Sequence, residues 1–62
     1  MKVVYEAIIH NHSDFGTVVF REFYETDEKA QGALNDCLHG YRTSDPEYAR
    51  SYEGYVYRHK VR

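Results

Sequence analysis

The chain has 62 residues, a single cysteine and a formal net charge of −2. That length makes one small domain, residues 1–62, which buries only about 60% of the surface its unfolded chain exposes. The lone Cys37 excludes an internal disulfide and fits a reducing, cytoplasmic setting. Nothing approaches the roughly 20 apolar residues of a membrane span, and Glu6 and His10 break any signal-like run near Met1. Residues 1–57 hold ten acids and five bases, whereas 58–62 add three positive charges. An acidic body with a basic end is a poor match for a general nucleic-acid binder, whose surface is broadly basic.

Residues 2–10 are β-branched and roughly alternating, which predicts a strand. Val3, Tyr5, Ala7 and Ile9 share one face, and Val4, Glu6 and Ile8 the other. Residues 11–16 hold Asn, Ser, Asp and Gly, the chemistry of a turn. Residues 17–25 predict a second strand, with Val18, Phe20, Glu22 and Tyr24 on one face and Val19, Arg21 and Phe23 on the other. So short a loop makes the pair an antiparallel hairpin. Ala30, Ala33, Leu34, Cys37, Leu38 and Tyr41 then recur with helical period. Thr26 or Asp27 caps this helix and Gly40 sits where it should end. Gly32 is an unfavourable mid-helix residue that marks either a close backbone approach or nothing. Residues 42–51 form a connector in which Ser44, Asp45, Pro46 and Glu47 predict one or two helical turns. Residues 52–61 predict a third strand, with Tyr55, Tyr57, His59 and Val61 on one face and Gly54, Val56, Arg58 and Lys60 on the other.

The order β-β-α-β predicts an α+β fold. A right-handed crossover places strand three beside strand one, giving a three-stranded antiparallel sheet of order 2-1-3 with one helix on one face. One helix covers one face only, while strands one and two carry apolar residues on both. Val4 and Ile8 with Val19 and Phe23, or their alternates, are therefore left on an open side. An exposed apolar patch of this kind marks a partner, and two-fold self-association is the simplest one. The bland reading is that residues 42–51 fold back over that face.

The chemistry-bearing residues are poorly arranged for catalysis or metal binding. His10 and His12 could aim two rings together, but Cys37 and His39 lie about 200° apart on a helix. Cys37 also belongs to the apolar stripe. His12, Ser13 and Asp14 are the right types for a triad, yet neighbours in a turn do not make one. So small a chain hardly encloses a ligand pocket. No catalytic residue, metal or cofactor is expected.

Two surface groups carry the functional expectation. Tyr48, Tyr52, Tyr55, Tyr57, Arg58 and Lys60, near His59 and Arg62, mix aromatics with cations, as protein hot spots do and as single-stranded nucleic-acid sites do. Such residues also serve simply to protect an edge strand. Glu22, Glu25, Asp27 and Glu28 form an acidic patch at the helix start, suited to a basic groove or merely to the helix dipole. In size and element order the chain resembles some small phage-encoded proteins that bind and inhibit host enzymes, including inhibitors of bacterial RNA polymerase and of defence nucleases. That likeness has no diagnostic residues and implies function only by analogy of shape. The expectation is a protein-binding inhibitor or regulator acting by occlusion, as a homodimer; the alternative is a nucleic-acid-binding domain using the third strand.

Overall fold

The computed structural model describes residues 2–61. Strand β1 (Lys2–Asn11) runs into a 3₁₀ turn at His12–Asp14 and then β2 (Thr17–Tyr24). Helix α1 (Asp27–Ser44) follows, then a 3₁₀ segment at Pro46–Ser51 and strand β3 (Tyr52–Val61). The sheet order is β2-β1-β3 with both pairings antiparallel. This is the expected α+β fold.

Side-chain alternation divides β1 between two environments. Ala7 and Ile9 point to the helix and are fully buried, and they meet Ala30, Leu34 and Tyr52 there. Val19, Phe20, Tyr24, Cys37, Leu38, Tyr41 and Val56 close the margins of this core. The central close approach is at Gly54. A Cβ there would lie 2.8 Å from Cδ1 of Leu34, so the absent side chain lets α1 settle onto β3.

Two elements differ from the sequence expectation. The helix does not stop at Gly40 but runs a further turn to Ser44. Its last turn is anchored by tertiary contacts: the Tyr41 hydroxyl donates to the Val19 carbonyl at 2.9 Å, and the Arg42 guanidinium donates to the Tyr52 carbonyl at 3.0 Å. The Tyr41 and Tyr52 rings lie 5.4 Å apart. Termination falls to Pro46, which disfavours helical geometry in the residue before it; Asp45 is non-helical at φ −134° and ψ 68°. Thr26 caps the start, its hydroxyl accepting the Lys29 N–H at 3.2 Å.

The second difference is in β2. The register against β1 shifts between Ile9, opposite Phe20, and His10, opposite Val18. Val19 is the extra residue of this bulge and packs with Phe20 against the core. It is thereby removed from the face it was expected to share with Arg21 and Phe23, and Val18, expected beside Phe20, lies opposite His10 on the other face.

The molecule measures 43 × 22 × 11 Å. Its Cα radius of gyration is 12.4 Å, against about 10.6 Å for a compact domain of this length. Its accessible surface is 4628 Å², against about 4,200 Å² expected for its mass. The excess follows from a sheet covered on one side. No helix among the described residues is long and apolar enough to cross a membrane.

Candidate protein-binding face

The face of the sheet turned away from α1 is built by alternation. From β1 it receives Val4, Glu6, Ile8 and His10; from β2, Val18, Arg21 and Phe23; from β3, Glu53, Tyr55, Tyr57, His59 and Val61. The 3₁₀ segment at Pro46–Ser51 packs chiefly against α1 and leaves this face uncovered. Phe23, Tyr55, Tyr57 and Val61 are 40–53% exposed.

At its centre is an ion cluster. Glu6 is only 5% exposed, yet it lies on the open face. Register explains this: Glu6 stands between Phe23 on β2 and Tyr57 on β3, with Arg21 and His59 one diagonal step away on either side. The Arg21 guanidinium donates to one carboxylate oxygen, and the His59 ring to the other at 2.9 Å. The His59 hydrogen bond, helped by Arg21, holds the Glu6 carboxyl below its usual range although burial opposes this. The pairing neutralises a charge in the middle of the face and makes the surrounding surface aromatic and weakly polar.

Aromatic contacts organise the rest. Arg21 lies over the Phe23 ring at 5.5 Å, and Phe23 lies 6.3 Å from His59. Tyr55 and Tyr57 stack at 6.2 Å, and His10 meets the Tyr55 ring at 6.1 Å. The Tyr55 hydroxyl donates to Glu53, which also accepts from His12 at 3.2 Å. These contacts hold Tyr55 and Tyr57 in place, so a partner would meet an already ordered surface.

The six expected binding residues separate. Tyr55 and Tyr57 stand on the open face. Arg58 and Lys60 point to the helix side, exposed and opposite Tyr5 and Val3. Tyr48 is exposed on the 3₁₀ segment. Tyr52 is buried in the core, where burial and then the Asp45 carboxylate raise its hydroxyl above the usual tyrosine range. Glu22, Glu25, Asp27 and Glu28 are all exposed around the start of α1, in no ion pair among the described residues. Phe23 was expected on the open apolar side, whereas Glu6, His10 and Arg21 were not singled out as binding residues from sequence. The signal for them is the register, since each is isolated in the chain and becomes a neighbour only across strands.

At the hairpin tip, Phe15 is fully exposed with a left-handed backbone at φ 56°. Asn11 supports the turn by accepting from the Ser13 N–H and hydroxyl. Elsewhere, Phe20, Cys37, Gly40, Tyr41 and Ser44 line a shallow groove of about 360 Å³, open along most of its surface and without a charged side chain. Among the described residues no three His, Cys, Asp or Glu side chains converge as a metal site.

Compared with protein-family models, with curated proteins and with solved structures, the chain gives no match.

Proposed function

We propose that this protein is a binding module that occludes the surface of a partner protein through its open sheet face. The observation that carries the reading is the uncovered aromatic face around the neutralised Glu6–Arg21–His59 cluster. Aromatic and arginine side chains of this kind dominate protein interfaces, and a central region with its charges paired costs little to dry. The nucleic-acid alternative needs cations beside the stacking rings. Arg58 and Lys60 lie on the opposite face from Tyr55 and Tyr57, and Arg21 is engaged by Glu6.

The test is affinity capture from a cell lysate with tagged protein, with and without nuclease, alongside a Phe23→Lys/Tyr57→Lys variant. A protein retained after nuclease treatment, lost with the variant and inhibited when bound supports occlusion through this face. Recovery that collapses on nuclease treatment transfers the site to nucleic acid. Equal retention by the variant removes the open face from the reading.

A further inference from the structure

The two edges of the sheet are unequal. Strand β2 is the shorter edge and is broken by the Val19 bulge, a feature that discourages pairing with another chain. Strand β3 is ten residues long, keeps one register against β1 from Tyr52 to Val61, and among the described residues has no strand on its other side. A row of unpaired backbone donors and acceptors is therefore presented along a straight edge.

We infer that the outer edge of β3 pairs antiparallel with β3 of a second copy about a two-fold axis at Val56, joining two three-stranded sheets into one of six strands. The side chains favour this register. A two-fold axis normal to the sheet sets a β3 residue opposite itself, so neighbouring residues oppose in pairs summing to twice the central number. With Val56 central, Tyr55 faces Tyr57 of the second copy and Glu53 faces His59 of the second copy, each pair occurring twice. Arg58 faces Gly54 and Lys60 faces Tyr52, so no like charges oppose. Aromatic pairs are a favourable cross-strand combination, and the Glu53 carboxylate can accept a hydrogen bond from the facing His59 ring. Centring on Tyr57 pairs as many residues but sets Glu53 against Val61. Centring on Arg58 opposes two guanidinium groups. Centring on Tyr55 pairs only residues 52–58, two fewer than centring on Val56.

The axis keeps both helices on one side and makes the two open faces continuous, so the Tyr55–Tyr57 stacks of the two copies form one aromatic row. This deepens the proposed function by doubling the binding face, and it rests on that reading only for its use. The pairing itself is read on pure protein and can fail or hold independently of partner capture.

The experiment uses Cys37→Ser chains carrying either Tyr55→Cys or Tyr57→Cys, oxidised separately and mixed, with sedimentation of the unaltered protein alongside. Directly opposed residues have Cα atoms roughly 4.5–5.5 Å apart, within disulfide reach. The mixture is expected to cross-link at least about fivefold more than either chain alone, because each cysteine then meets the other type. The unaltered protein is expected to shift from monomer to dimer mass between about 10 µM and about 1 mM. Monomer mass throughout that range overturns the pairing whatever the variants do. Cross-linking as strong in the separate chains as in the mixture overturns the register.

Discussion

Glu6 is the residue on which the open face turns. A buried carboxylate held by one guanidinium and one imidazole is stabilised in its ionised form, so its folded-state pKa lies below the ordinary 4.5. A depressed acid contributes stability that is fully present above the unfolded-state value and lost as pH falls through the folded one. Replacing Glu6 by Gln should therefore cost about 1–2 kcal/mol near neutrality, and the difference from wild type should shrink as pH drops below about 4.5. Denaturant midpoints of both proteins across that range read the difference directly. A constant difference would mean that the cluster owes its worth to packing and not to charge. Gly54 matters for the opposite reason, that of having no side chain. A methyl group there would lie 2.8 Å from Cδ1 of Leu34, so that side chain, itself only 5% exposed, must shift. Gly54→Ala should cost about 1–3 kcal/mol, an overpacking penalty visible as a lower melting temperature. An unchanged melting temperature would place α1 farther from β3 than the structure has it.

At the level of elements, the helix shows what sequence periodicity conveys and what it omits. The stripe from Ala30 to Tyr41 located the helix and its buried face correctly, because period 3.6 is a local property. Its end was misplaced because Gly40 is a common cap residue, while the contacts that continue the helix are made by Tyr41 and Arg42 with β2 and β3. Likewise the alternation of β2 holds from Phe20 to Tyr24 but fails at Val18 and Val19, because the bulge exists only relative to β1. The sheet order followed from crossover handedness, but the Glu6–Arg21–His59 cluster required the register, which no single segment encodes. A consequence can be measured. Gly32 and Gly40 both lie on the exposed side of α1, where an added Cβ meets nothing within 4 Å. Gly32→Ala and Gly40→Ala should each add about 0.5–1 kcal/mol through helix propensity. If the helix ended at Gly40 in a left-handed cap, alanine there would be destabilising instead.

For the molecule as a whole, the two faces of the sheet make opposite demands on stability. The helix side holds nearly all of the buried apolar residues, whereas Phe23 and Tyr57 on the open side remain 53% and 46% exposed. Large apolar groups left half in water contribute little to the monomer and much to an interface. Leu34→Ala should therefore cost about 2–5 kcal/mol, enough to unfold a domain with so thin a core. Phe23→Lys and Tyr57→Lys, by contrast, should each cost the monomer no more than about 1 kcal/mol, the loss of the contacts each ring makes beside Glu6, measured at concentrations low enough to prevent association. At high concentration the same two substitutions should improve solubility, because they break up the exposed aromatic surface. If instead they destabilised the dilute monomer as strongly as Leu34→Ala, the open face would be a second core in its own right, and its aromatics would be holding the three strands together. The small core makes that contrast decisive: a domain with few buried side chains can spare surface aromatics for a partner only if the helix side alone suffices to fold it.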